Sequence, residues 1–193
     1  MVEVLIRSLL CLARLLALLA LPSAACAHRL DEYLQATIVA IEADSIRLRI
    51  NLTPGVDVAD RVLTRIDRDH DGAISTNEGA GYAELLRRDL TVRVDGRKLK
   101  LKLTASEFPT PDELRIGLGI IQIEFSAAPE PFVTGTHKFT MENRHLPSLS
   151  VYLINAALPK SSTIQITRQK RNENQAEGEI EFSFSPTSGR GKR

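Results

Sequence analysis

The chain has 193 residues, of which 43% are hydrophobic and 25% are charged. This length and composition suit one globular domain that buries a hydrophobic core. The formal charge of +1 disfavours a dedicated nucleic-acid binder, because no excess of cations is present to neutralise a phosphate backbone. The absence of Trp and an aromatic content of 5% also disfavour an aromatic platform for bases or sugars.

The first 27 residues have the pattern of a cleaved secretory signal peptide. Arg7 precedes an apolar run from Leu9 to Leu21, and Ala25-Cys26-Ala27 matches an Ala-x-Ala cleavage site. We therefore predict an exported protein, periplasmic or extracellular, that begins at His28 and does not span a membrane after cleavage. The alternative is a lipoprotein anchored through Cys26, but the Leu usually found three positions before a lipidated cysteine is missing.

Cleavage after Ala27 would change the charge and the redox chemistry of the chain. It would remove Glu3, Arg7 and Arg14, which leaves 166 residues with 23 basic and 23 acidic side chains. Both cysteines of the chain lie in the removed segment. The mature protein would therefore have no disulfide, no cysteine-bound zinc and no cysteine nucleophile.

Most of the remaining chain has the alternating pattern of β-strands. Ile46, Leu48 and Ile50 alternate with polar residues, which is typical of a strand with one exposed face. Asp95-Gly96 is a strong signal for a hairpin turn. The predicted strands are Tyr33–Ile41, Ile46–Leu52, Leu90–Val94, Leu99–Leu103, Leu114–Phe125 with a bulge near Gly117 and Gly119, His137–Met141, Ser150–Ile154, Thr163–Thr167 and Ile180–Phe184. This series predicts a mainly β fold, an antiparallel β-sandwich or open barrel over residues 28–185, with a disordered basic tail over residues 186–193.

A segment at about residues 55–89 interrupts the strands with helical spacing. The apolar residues of Asp57–Ile66 and of Ser75–Asp89 recur at the period of an amphipathic helix. The residues between them, from Asp67 to Glu78, match D-x-D-x-D-G followed by a closing Glu, which is the pattern of an EF-hand calcium loop. The sequence therefore predicts a helix–loop–helix EF-hand inserted into the β-sandwich.

Oxygen atoms are the ligands that the hard Ca²⁺ ion prefers. The predicted metal ligands are Asp67, Asp69, Asp71, Ala73, Ser75 and Glu78. Ala73 would supply its backbone carbonyl, Ser75 its hydroxyl or a bridging water, and Glu78 both carboxylate oxygens. Gly72 provides the sharp turn, and Ile74 is expected to point into the core. The alternative is a solvated acidic turn, and magnesium is disfavoured because it requires a tighter octahedron.

The sequence contains one such loop, and cationic residues lie close to it. Arg65, Arg68 and, when it is protonated, His70 should weaken calcium binding, so we predict a Kd of about 10⁻⁴ to 10⁻³ M. With ~1 mM calcium and a Kd of ~0.1 mM, binding would stabilise the fold by about 1.4 kcal/mol. This value favours a structural brace over a signalling sensor.

The stretch Ala27-His28-Arg29-Leu30-Asp31-Glu32-Tyr33-Leu34, the strand pair after it, the single EF-hand loop and the hairpin after that loop resemble a known family region. This is the extracytoplasmic domain that precedes the transmembrane part of HupE/UreJ-like proteins and of some bacterial nickel/cobalt permeases. The later stretch from Glu142 to Asn155 is similar to a segment of uncharacterised members of that group. The resemblance implies an exported β-rich module with an inserted calcium loop and no known chemistry of its own, which is either free or docks a membrane permease or another envelope protein. It does not imply transport, because no transmembrane helices follow in this sequence.

Two other classes of function stay open. The amine and imidazole of His28 could chelate nickel or copper after cleavage, with His137 or His145 completing the site. The simpler interpretation of His145 is a hydrogen-bonding residue at a strand end. A secreted hydrolase is the third class, but the sequence has no G-x-S-x-G and no H-E-x-x-H motif, and we predict no enzymatic activity.

Overall fold

The computed structural model describes residues 31–186 and consists of ten strands and a few short helices. The signal-peptide prediction, His28 and most of the predicted tail lie outside these residues. The strands are β1 (Tyr33–Ile41), β2 (Ile46–Pro54), β3 (Leu90–Val94), β4 (Arg97–Lys98), β5 (Lys102–Glu107), β6 (Ile121–Ala127), β7 (Gly135–Asn143), β8 (Ser150–Ala156), β9 (Ile164–Arg171) and β10 (Glu177–Phe184). The helices are α1 (Ala59–Ile66), α2 (Thr76–Asp89) and α3 (Pro111–Arg115), with a 3-10 turn at Val56–Val58.

The strands form two five-stranded sheets, which confirms the predicted mainly β sandwich architecture. The first sheet has the order β5-β6-β2-β1-β8, and the second has the order β4-β3-β7-β10-β9. All strand pairs are antiparallel except β1 and β8, which run parallel with Tyr33 opposite Ser150. No helix within residues 31–186 has both the length and the apolar character needed to cross a membrane.

The core lies between the sheets and follows from the alternation of the strands. In β2 the residues Ile46, Leu48, Ile50 and Leu52 are fully buried, whereas Arg47 and Arg49 are exposed. The second sheet contributes Val92, Phe139, Met141, Ile180 and Phe182 from its inner face. Removing this apolar surface from water stabilises the fold by roughly 25 cal/mol per Å².

The helix–loop–helix insertion lies between β2 and β3, as predicted. Helix α1 buries Val62, Leu63 and Ile66, which recur at helical spacing. Helix α2 buries Tyr82 and Leu86 and leads directly into β3. The hydrophobic faces of both helices belong to the same core cluster as the sheets. The insertion therefore folds as part of the sandwich.

The predicted strand Leu114–Phe125 is wrong in its first half. Residues Pro111–Arg115 form helix α3, and β6 begins only at Ile121. Thr110 caps this helix by accepting from the backbone N–H of Glu113, while the Glu113 carboxylate accepts from the backbone N–H of Thr110. Gly117, with φ of 73°, follows the helix and is not part of a bulge. Register shifts occur instead between Leu103 and Ala105 and between Glu181 and Phe182.

The predicted return strand Leu99–Leu103 is also wrong. Arg97 and Lys98 pair with β3, and the Leu99 backbone N–H still donates to the Val92 carbonyl at 2.9 Å. The chain then leaves the second sheet to start β5 at the edge of the first. Leu101 is buried in this crossing and Leu99 packs against the core. The alternating leucines and lysines therefore belong to a segment that connects the edges of the two sheets, and they do not form a strand of one sheet.

Candidate metal centre

The loop between α1 and α2 is held at both ends by helix caps. Asp67 follows α1 and its backbone N–H donates to the carbonyl of Leu63 at 2.8 Å. Ser75 is the N-cap of α2, and its hydroxyl accepts from the backbone N–H of Glu78 at 3.3 Å. The packed helices thus place the ends of the acidic segment at defined positions.

The structure brings three of the predicted ligands together. The carboxylates of Asp67, Asp69 and Asp71 each offer an oxygen, and these oxygens lie within 4.8 Å of one another. That spacing is comparable with the span of two calcium–oxygen bonds of about 2.3–2.6 Å each. Three carboxylates this close repel one another unless a cation or protons lie between them.

Asp67 gives this cluster an unsatisfied oxygen. The residue is 8% exposed, its Oδ2 accepts from the Gly72 backbone N–H at 3.1 Å, and its buried Oδ1 has no hydrogen-bond partner among the described residues. A buried carboxylate oxygen without a partner carries a large desolvation cost. A divalent cation at the Asp67–Asp69–Asp71 cluster would remove that cost, so the residues present fit a hard metal ion.

The loop backbone turns the aspartates toward one another. Asp69 Oδ1 accepts from the Asp71 backbone N–H at 3.2 Å, and Asp71 Oδ1 accepts from the Ala73 backbone N–H at 2.8 Å. Gly72 has φ of 83°, a conformation in which a side chain would be strained. Ile74 packs against the core, as predicted from its position in the loop.

Glu78 is not part of the carboxylate cluster in this structure. Its Oε1 accepts from the Arg68 backbone N–H at 2.7 Å, and its Oε2 accepts from the backbone N–H and hydroxyl of Ser75 at 2.9 and 2.7 Å. The hydrogen bonds from Ser75, and then that from Arg68, lower the pKa of Glu78 to about 2. Glu78 therefore closes the loop as a carboxylate, whereas metal ligation by Glu78, Ser75 and the Ala73 carbonyl stays a prediction.

A buried polar chain fixes α2 on the sandwich behind the loop. The hydroxyls of Tyr33 and Tyr82 lie 2.7 Å apart, Tyr82 lies 3.0 Å from His145 Nε2, and His145 Nδ1 lies 2.7 Å from Asp89 Oδ2. Burial lowers the pKa of His145, and the hydrogen bond with Asp89 offsets only part of that effect. The ring is thus neutral: Nδ1 donates to Asp89, Nε2 accepts from Tyr82, and Tyr82 accepts from Tyr33.

The hydrogen-bonded series Asp89–His145–Tyr82 has the same order of groups as the acid–histidine–hydroxyl relay of nucleophilic catalysis, but the resemblance ends there. His145 is 0% exposed and Tyr82 is 2% exposed, so no substrate can reach the hydroxyl. Burial also raises the pKa of Tyr82 and of Tyr33. The relay is therefore a structural anchor between α2 and β1.

A second buried group orients the segment that carries His145. Gln35 Nε2 donates to the His145 carbonyl at 2.9 Å, and Asn143 Nδ2 donates to Gln35 Oε1 at 2.9 Å. The hydroxyl of Tyr152 donates to the same His145 carbonyl at 3.0 Å. The prediction of His145 as a hydrogen-bonding residue at a strand end is confirmed. The sequence analysis missed Gln35 and Asn143, although Gln35 follows Tyr33 in the buried phase of β1.

His137 lies in a different environment, on the β7 strand. Its Nδ1 is 2.7 Å from Asp95 Oδ2 and its Nε2 is 2.7 Å from the Val133 carbonyl. Burial opposes a charge on the ring, but the hydrogen bonds with Asp95 and Val133 outweigh this effect and raise the pKa of His137. Both ring nitrogens of His137 and of His145 are thus hydrogen-bonded, and the nickel or copper site with His28 stays a prediction.

Comparison with known proteins gave no match to a protein-family model, to a curated protein or to a solved structure. The resemblance to the extracytoplasmic region of HupE/UreJ-like proteins therefore stays a prediction from the sequence.

Proposed function

We propose that this protein is an exported, non-enzymatic calcium-binding module in which the ion braces a β-sandwich interaction domain. The observation that carries the proposal is the buried Asp67 oxygen without a partner, beside the carboxylates of Asp69 and Asp71. All the donor atoms are oxygens, which favours Ca²⁺ over softer transition metals. The spacing of the closing Glu78 in the sequence adds to this support.

The proposed role as a brace follows from the position of the loop. Asp67 directly follows α1, and Glu78 lies in the first turn of α2, which is anchored to β1 through Tyr82 and Tyr33. An ion held by both helix ends would oppose the opening of the insertion, and it would stabilise the folded state by mass action. The export prediction places the protein where calcium is abundant. The proposed partner is a membrane permease or another envelope protein.

Thermal unfolding in EDTA, in calcium and in magnesium tests this proposal. At a calcium concentration about ten times the Kd, the stabilisation of about 1.4 kcal/mol should raise Tm by about 3–6 °C. Magnesium at the same concentration should have a smaller effect. If calcium leaves Tm unchanged up to 10 mM, the role as a brace is wrong. Sequencing the N-terminus of the exported product tests cleavage after Ala27 separately.

A further inference from the structure

The chain crosses from the second sheet to the first along one side of the sandwich, over residues 97–102. Leu101 points inward and is 6% exposed, and Leu99 packs against the core. Lys98, Lys100 and Lys102 are exposed on the outer side of the same segment. We name these three lysines the crossover strip.

The crossover strip carries positive charge that nothing nearby neutralises. Within residues 31–186 none of its three lysines forms an ion pair. The neighbouring Glu130 already pairs with Arg97, and Asp95 is held by His137 and by the Lys138 backbone N–H. Glu130 and Asp95 are thus already engaged by other groups.

The strip also lies between two sheet edges. β4 is the last strand of the second sheet and β5 is the last strand of the first, and neither pairs with a further strand in the part of the chain described. An unpaired edge offers backbone N–H and C=O groups to an added strand. Extended polypeptides bind in this way, with main-chain hydrogen bonds along the edge and side chains in adjacent pockets.

Two recesses of suitable size flank the strip. The first flanking recess, of about 430 Å³, is lined by Lys98, Lys100 and the segment containing Phe132 and Val133. The second, of about 230 Å³, is lined by Lys98, Leu101 and Arg87. Side chains of a bound strand could enter both.

We propose that the crossover strip is a docking site for an extended acidic segment of a partner polypeptide. Alternate residues of an extended chain lie roughly 6.6–6.8 Å apart on one face, which is the period of Lys98, Lys100 and Lys102 in the sequence. Carboxylates at alternate positions of the partner would therefore meet successive lysines. The leucines point inward, so the strip offers no apolar side chain for insertion into a membrane. This proposal rests on residues other than those of the calcium loop.

Fluorescence anisotropy with two labelled peptides tests the proposal. The first peptide alternates Glu and Val over twelve residues, and the second replaces every Glu by Gln. The full chain should bind the Glu peptide at least tenfold more tightly, and the affinity should fall as salt is added. The variant carrying Lys98→Glu and Lys100→Glu should lose at least about tenfold in affinity, because two attractive contacts become repulsive.

A matched control carries Lys160→Glu and Lys170→Glu, which change the net charge equally at exposed positions, one after β8 and one on β9 at the opposite edge of the second sheet from β4. This control should bind the Glu peptide within about twofold of the original chain, a difference below 0.5 kcal/mol. Equal loss in both variants, or equal binding of both peptides, would overturn the proposal. Binding to vesicles containing phosphatidylglycerol with no binding of the Glu peptide would also overturn it in favour of a lipid surface. Circular dichroism of both variants verifies that they fold.

Discussion

The Glu78 carboxylate accepts a hydrogen bond from the Arg68 backbone N–H at 2.7 Å and so joins the end of the acidic loop to its beginning. The same carboxylate also accepts from Ser75 and completes the capping box of α2. Glu78 therefore has a structural role that does not depend on metal, in addition to its proposed role as a calcium ligand. The two roles can be separated by measuring calcium affinity and metal-free stability independently. Gln removes the charge and can keep the capping-box bonds from Ser75 through its one amide oxygen, but its Nε2 cannot accept from the Arg68 backbone N–H.

Glu78→Gln should weaken calcium binding by at least tenfold, and it should lower the stability of the metal-free fold by about 0.5–1.5 kcal/mol because the hydrogen bond from the Arg68 backbone N–H is lost. Calorimetric titration measures the affinity, and thermal unfolding in EDTA measures the fold. Glu113→Gln is the control for the loss of a capping carboxylate outside the loop: Glu113 accepts from Thr110 through Oε2 alone, so its Gln variant can keep both bonds. Equal calcium affinity in the two variants would show that Glu78 is not a ligand.

Asp67→Asn should change stability in opposite directions without and with calcium. In EDTA the substitution removes one of three mutually repelling carboxylates, including its unpartnered buried oxygen, and should stabilise the protein by about 1 kcal/mol. In millimolar calcium the variant should gain nothing from the ion. Urea unfolding under both conditions measures the two free energies of unfolding, and a variant that calcium stabilises as much as the original chain contradicts the site.

Tyr82→Phe should destabilise the protein more than Tyr33→Phe. The first removes the hydroxyl that bonds both Tyr33 and His145 and leaves a buried acceptor unsatisfied, at a cost of about 1–3 kcal/mol. The second removes only the donor to Tyr82 and should cost about 0.5–1.5 kcal/mol. Urea unfolding of both variants measures the difference, and the reverse order would refute the assigned direction of the relay.

The two buried histidines should give the stability opposite dependences on pH. The pKa of His137 is raised in the folded state, so its contribution is complete below the unfolded value of about 6.5 and is lost as the pH rises through the raised pKa. The pKa of His145 is lowered, so its contribution is present above about 6.5 and is lost as the pH falls toward the lowered pKa.

His137→Gln should therefore flatten the loss of stability on the alkaline side and keep the loss on the acidic side. Chemical unfolding at a series of pH values measures this change, and NMR titration of the two imidazoles checks the pKa directions directly. An unchanged alkaline slope in the variant would show that His137 is not a cation in the folded protein.

The features that the sequence predicts well are those encoded by local periodicity. The alternation in β2 and the helical spacing on either side of the acidic loop correspond to the observed burial of Ile46–Pro54 and of α1. The missed helix α3 also has a local signal. Thr110 and Glu113 form a capping box and Pro111 is the first helical residue, but the helix has only five residues. The apolar residues that follow the helix led to the prediction of one long strand from Leu114 to Phe125.

Other features depend on contacts between distant residues and have no local signal. The parallel pairing of β8 with β1 joins residues more than a hundred positions apart, and either direction suits the same alternating pattern. The role of Lys98–Lys102 depends on which sheet edge the chain reaches next. The direction of the hydrogen bonds of His145 depends on Tyr82 and Asp89, which α2 supplies.

Equilibrium dialysis with radioactive calcium tests the central claim most directly, because it counts bound ions. The mature protein, stripped with EDTA, should retain one calcium per chain with a Kd of about 10⁻⁴ to 10⁻³ M, and the Asp67→Asn variant should retain none in this range. Retention of no calcium by the original chain at several millimolar, or equal retention by the variant, would contradict the account.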